Sequence, residues 1–132
     1  MGKKKVANFL YEDLSYKIRG CVFNVYNSLG FGHKENIYQK ALAIEFNKAG
    51  IKFEKEKSLP IKYGEKELGK YRPDFVIENK IIIETKTVEF MPKNYETQLV
   101  YYLRGTKFRL GFLINFGTPR LDIRRRINSN QR

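Results

Sequence analysis

Arg72-Pro-Asp-Phe-Val-Ile-Glu-Asn-Lys-Ile-Ile-Ile-Glu-Thr-Lys86 is the stretch from which the fold is read. Val76 and Ile77, then Ile81, Ile82 and Ile83, are strand formers, and Glu78-Asn79-Lys80 between them is turn material, so two β-strands joined by a short polar turn are expected. Side chains alternate faces along a strand, which puts Asp74 with Val76 and Glu84 with Lys86. A three-residue turn over 78–80 sets Asp74 directly opposite Glu84 on one face; a two-residue turn breaks that parity. In the first register the carboxylates stand roughly 5 Å apart at their Cβ atoms, where like charges repel and weaken a sheet. Something positive is expected between them, and a hard divalent cation such as Mg²⁺ (or Mn²⁺) is held by one or two carboxylates plus waters and phosphate oxygens. Lys86 reaches the same place and can stabilise negative charge on a phosphate or help activate a water. Two carboxylates and a lysine around a metal suit phosphodiester hydrolysis.

Three motifs in this chain carry a family resemblance. Pro73-Asp74 followed by Glu84-Thr85-Lys86 resembles the PD-(D/E)XK signature of a large nuclease superfamily. Gly32-His-Lys-Glu35-Asn-Ile-Tyr38 resembles the opening motif of its small GxxExxY proteins. Gln98-Leu-Val-Tyr-Tyr102 resembles the QxxxY motif that some members place on the following helix. The resemblance spans about residues 10 to 127. The resemblance implies a restriction-endonuclease-like αβββαβ core. It also implies that Asp74, Glu84, the Thr85 carbonyl and Glu35 hold the metal, that Lys86 is catalytic, and that Gln98 and Tyr102 look onto the site.

Composition agrees with one catalytic or binding domain. The chain has 132 residues, 42% of them hydrophobic, enough for a single core. Lys and Arg number 26 against 14 Asp and Glu, a net charge of +12. That excess favours a polyanionic partner, nucleic acid being the commonest, although it also serves solubility. One cysteine and one histidine exclude an internal disulfide and a Cys/His zinc site. No run of ~18 apolar residues offers a membrane span, and Met1-Gly-Lys-Lys-Lys-Val lacks a signal peptide's apolar core. A cytoplasmic protein is expected.

The domain is expected over residues 10–127, after a basic disordered start (1–9) and before a basic tail (128–132). Leu14, Ile18, Cys21, Val22, Val25 and Leu29 recur at helical spacing up to Gly30, with Cys21 a core residue on that stripe. A second helix is expected from Lys34 to Ala49, its inner stripe Tyr38, Leu42, Phe46 and Ala49. Glu35 shares that side; it either caps the helix by meeting the macrodipole or adds an acidic group to the metal site. Residues 51–71 read as a hairpin turning at Gly64-Glu65, with interleaved lysines that form a solvated face or an electrostatic track for phosphates.

A third helix is expected over Lys93–Arg104. Gln98 and Tyr102 share one of its faces with Tyr95 a turn earlier, either as packing residues or as site residues. Glu89 and Glu96 are acidic candidates of lower rank. Phe108 to Phe116 alternate through a strand covered on both sides. Leu121–Ile127 then reads as an edge strand, whose Arg120, Arg124 and Arg126, with Arg72 before the catalytic strand, can grip phosphates as well as discourage aggregation.

The order is an α/β sandwich of one domain with a mixed central sheet. Three functions fit: a metal-dependent nuclease, most readily of DNA; a non-catalytic nucleic-acid-binding module acting with a partner protein; or a structural domain whose acidic hairpin merely pairs with Lys86 and Arg72. Cutting two strands would favour a homodimer, but no coiled coil or apolar interface marks one.

Overall fold

The computed structural model describes residues 10–128, so the expected disordered start lies outside the described residues, as does the tail beyond Asn128. Three helices and seven strands follow in the order α1 (Glu12–Leu29), α2 (Glu35–Lys48), β1 (Phe53–Lys55), β2 (Leu59–Tyr63), β3 (Lys66–Tyr71), β4 (Phe75–Ile77), β5 (Ile81–Lys86), α3 (Lys93–Gly105), β6 (Leu110–Asn115) and β7 (Asp122–Ile127). Five strands make a mixed sheet in the order β1-β4-β5-β6-β7, and β2 with β3 stands apart as a hairpin. All pairs of the large sheet are antiparallel except β5 with β6, which α3 connects as a crossover. Helix α2, then β1, β4, β5, α3 and β6, give the expected αβββαβ order with the hairpin inserted after its first strand.

The β4–β5 pairing settles the parity of the turn. Ile77 lies opposite Ile81 and Phe75 opposite Ile83, so the turn is the three residues 78–80 and the register carries Asp74 to Glu84. Glu78 and Asn79 both take left-handed backbone conformations, φ 53° and 56°. Asn tolerates that region, and Glu78 is held there by two bonds to Lys52: its N–H donates to the Lys52 carbonyl, and its carboxylate accepts from the Lys52 N–H.

Two apolar cores flank the sheet. Toward α1 and α2 the strands contribute Phe75, Ile77, Ile81, Ile83, Phe112 and Ile114, packed on Ile18, Val22, Tyr38, Leu42 and Phe46. Toward α3 and the hairpin they contribute Val76, Ile82 and Leu113, packed on Leu99, Leu103, Leu59 and Tyr71. This is the alternation the strand pattern demands, and β6 is buried on both faces as expected.

Two expectations need correction. Residues 51–71 are not one hairpin. Phe53–Lys55 pairs with Ile77–Phe75 as the edge of the large sheet, and only Leu59–Tyr71 forms a hairpin, turning at Gly64-Glu65. Glu56, at φ 51°, breaks the extended path between them, and its N–H is taken by the Asp74 carbonyl. Ala49 is exposed and leaves the inner stripe of α2, because the helix ends at Lys48.

Candidate active site

Asp74 and Glu84 come together because the β4–β5 turn has three residues. Asp74 lies just before β4 and Glu84 is the fourth residue of β5; both are half-buried. The Asp74 N–H donates to Glu84 Oε1 at 3.3 Å. Asp74 Oδ2 accepts from the Thr85 N–H at 2.7 Å and from the Thr85 hydroxyl at 2.8 Å. Its Oδ1 accepts nothing from the described residues.

Burial first, and Asp74 second, push the Glu84 carboxyl up to about 7, against the lowering effect of Tyr71 and Lys86. The Tyr71 hydroxyl donates to Glu84 Oε2. Burial and the neighbouring Glu84 push that phenol well above its ordinary range, so it keeps its proton and remains a donor. Behind it, Tyr102 stacks on Tyr71 with ring centroids 3.7 Å apart and planes 7° from parallel, which is how α3 reaches the site.

Glu35 opens α2 on the other side of this pair. Burial first, then Asp74, raise its carboxyl, and Lys86 lowers it, so all three groups lie within electrostatic reach of one another. Glu35 occupies the helix's first turn, where the macrodipole favours it, and faces the acidic pair as well. Gln39, one turn along, ties it to the sheet: its amide donates to Glu35 at 3.3 Å and to the Thr85 hydroxyl at 2.9 Å. Glu35, Gln39, Thr85 and Asp74 are thus one hydrogen-bonded chain. The loop ahead of α2 is pinned by Tyr38, whose hydroxyl donates to the Gly30 carbonyl, accepts from the His33 N–H, and whose ring stacks on Phe116.

Lys86, also on the α3 face, holds its ammonium 4.6 Å from the centre of the Tyr95 ring. Neither Lys86 nor Arg72 makes an ion pair with Asp74 or Glu84 among the described residues, which removes the basis for a purely structural acid–base hairpin. Beyond Lys86 the chain turns sharply: Asn115 bonds Val88 through both side-chain atoms, and a Cβ on Gly117 would stand 2.3 Å from the Val88 nitrogen. Only glycine fits there.

The other expected residues lie around this cluster. Gln98 is exposed on α3 with no hydrogen-bond partner among the described residues. Arg72 and Arg120 are exposed. Arg124 and Arg126 both bond the Glu96 carboxylate, and Arg124 also bonds Asp122 at 2.8 Å, so these two guanidiniums and Glu96 are already engaged with each other. Glu89 is exposed. Two residues escaped the sequence reading. Gln39 was findable, being four residues from Glu35 on one helical face. Tyr71 directly precedes Arg72-Pro73-Asp74, but nothing local distinguishes it from the end of a strand.

The donors suit a hard cation. They are all oxygens, two carboxylates crowd a half-buried position, and one oxygen of Asp74 is free. No group of three Asp, Glu, His or Cys side chains converges among the described residues, so the protein supplies two close acidic ligands at most, with Glu35 behind them. No helix among the described residues is long and apolar enough to cross a membrane.

The family model described as PD-(D/E)XK nuclease superfamily matches residues 12–126. No match exists among curated proteins or among solved structures.

Proposed function

The chain belongs to the PD-(D/E)XK nuclease superfamily, and from that premise we propose that it is a Mg²⁺- or Mn²⁺-dependent nuclease that hydrolyses phosphodiester bonds, with DNA the foremost substrate. The observation that carries the reading is the crowding of Asp74 and Glu84, whose mutual repulsion Lys86 eases at a distance but no close ion pair relieves among the described residues. The chemistry supplied there by the ion is charge neutralisation at the scissile phosphate and an acidified water.

This chain's own residues do the rest. Asp74 and Glu84, with the Thr85 carbonyl, would hold the ion, and Glu35, kept in line by Gln39, would add negative charge to the site. Tyr71 takes one oxygen of Glu84 and so fixes which oxygen is presented. Lys86 leaves the Tyr95 ring to meet the phosphate, where its ammonium stabilises charge developing in the transition state. Gln98 and Tyr102 lie on the α3 face through which the substrate backbone approaches, and Arg72 and Arg120 offer exposed phosphate contacts. Arg124 and Arg126 can join them only by giving up Glu96. The family subtype with a Gly32, Glu35 and Tyr38 motif, a cytoplasmic location, and a homodimer on duplex substrates belong to the same proposal.

Labelled single-stranded, duplex and branched DNA, with matching RNA, incubated under Mg²⁺, Mn²⁺ or EDTA, test it. Metal-dependent cutting by the wild type should vanish in Asp74→Asn and fall about 10²- to 10³-fold in Lys86→Ala. Salt-sensitive binding with no cutting of any substrate would instead leave a nucleic-acid-binding module that works with a partner protein.

A further inference from the structure

A second feature lies on the α3 face of the sheet, away from the carboxylates. A cleft of about 490 Å³ opens between the hairpin, the end of α3 and the β4–β5 turn, floored by Leu59, Pro60 and Phe108. Its charged lining is entirely basic: Lys57, Lys62, Arg104 and Lys107, with no acidic residue. Lys57 is partly neutralised by Glu54 at 3.1 Å, but the other three have no acidic partner among the described residues. Arg104 and Lys107 also favour the carbonyl end of α3. Lys62 comes from β2, where Glu67 lies opposite it in the ladder without closing an ion pair among the described residues.

One exposed aromatic side chain stands beside these charges. Tyr101 is 60% exposed and its ring centre lies 6.0 Å from the Arg104 guanidinium. Basic groups with an exposed aromatic beside them are the apparatus by which unpaired bases are stacked and their phosphates neutralised. The volume is that of a small-ligand pocket, enough for a nucleotide or two and not for a double helix. The hairpin joins the cleft to the catalytic pair. Leu59 of β2 lines the cleft, and directly opposite it in the ladder is Tyr71 of β3, which bonds Glu84. Asn79, at the cleft, is five residues from Glu84, roughly 15 Å along extended chain.

The geometry points to this cleft as a subsite for an unpaired nucleic-acid strand flanking the phosphate to be cut. The substrate is then single-stranded or branched, a specification that rests on the nuclease reading for the cutting but not for the binding. Phosphates meet Lys62, Arg104 and Lys107, while bases lie over the apolar lining and against Tyr101.

Binding is measured in EDTA, where nothing is cut, by fluorescence anisotropy on a labelled single-stranded DNA, the RNA of the same sequence, and the corresponding duplex DNA. A Lys62→Gln/Arg104→Gln double variant should lose roughly tenfold in affinity for the single strand, with a log–log salt slope shallower by about 1.4. Tyr101→Ala should lose about fivefold or more. Duplex affinity should change little in both. All substituted side chains are exposed or line an open cleft, so melting temperatures should stay close to wild type and would reveal a folding defect. Whichever of DNA or RNA binds more tightly identifies the sugar, and either result supports the subsite. Unchanged single-strand affinity, or an equal loss on duplex, overturns it. A protein that shows this binding pattern yet cuts nothing in Mg²⁺ keeps the cleft and loses the nuclease; one that cuts without the pattern does the reverse.

Discussion

The two faces of the central sheet are built to opposite rules. Toward α1 and α2, the inward strand residues Phe75, Ile77, Ile81, Ile83, Leu110, Phe112 and Ile114 are apolar and fully buried, the buried Thr85 at the end of β5 bonds Gln39, and aromatic rings from three elements, Phe46, Phe53 and Phe75, close the other end of that core. Toward α3, the apolar set of Val76, Ile82 and Leu113 gives way within one strand to Asp74, Glu84 and Lys86. Strand β5 belongs to both: Ile81 and Ile83 serve the first face, Ile82, Glu84 and Lys86 the second. A sheet that is well packed on one side can hold a repelling acidic pair on the other. The difference teaches that here stability and chemistry are divided between faces of the same strand and not between domains.

The division can be tested from its strongest effect down. Phe112→Ala, on the closed face, should cost about 3–5 kcal/mol in denaturant unfolding, while cleavage per folded molecule stays near wild type. Comparable losses of both would show that the faces are not separable. On the open face, the acidic pair should weaken the fold where it is ionised. Glu84 titrates near 7 when folded against 4.5 ordinarily, so the native state binds the extra proton between those values. Stability is therefore fully present below about pH 4.5 and declines as pH rises to 7, by on the order of 3 kcal/mol in EDTA. Urea melts across that range should show the decline in wild type, a clearly smaller one in Glu84→Gln, where Glu35 remains the raised carboxyl, and its reversal by Mg²⁺; a flat wild-type profile sinks the argument. The smallest effect is expected at Glu96, which lies outside the acidic pair but bonds Arg124 and Arg126. Glu96→Gln should cost about 1 kcal/mol or less and leave cleavage intact, and a large loss of activity would move those arginines into the reaction.

Much of this was legible because it is local. Asp74 and Glu84 face each other by the arithmetic of a short turn, and the α1 stripe follows from helical period alone. The reading of 51–71 failed for the opposite reason. Phe53 alternates with its neighbours as well for one hairpin arm running on through Leu59 as for a ladder with Ile77, and the left-handed Glu56 separates the two outcomes. Alternation says that a segment is a strand; it does not name the partner. The arginines of β7 show the same limit. Their sequence announces charge, but that Arg124 and Arg126 are spent on Glu96 depends on how α3 lies across the sheet. The basic residues of the cleft look no different in sequence from the solvated lysines beside them.

The turn of three residues also bears on the order in which the chain assembles. Asp74 and Glu84 are ten residues apart, whereas Gln39, which anchors Glu35 to Thr85, must arrive from forty-six residues away. Short loops close first and cost least entropy, so the hairpin brings two negative charges together before α2 is in place to order them. The repulsion then falls within the folding barrier as well as in the finished fold. Divalent ions should accordingly speed refolding of the wild type in stopped-flow experiments and leave Asp74→Asn unaffected; an ion that only slows unfolding would place the meeting of the two acids after the barrier.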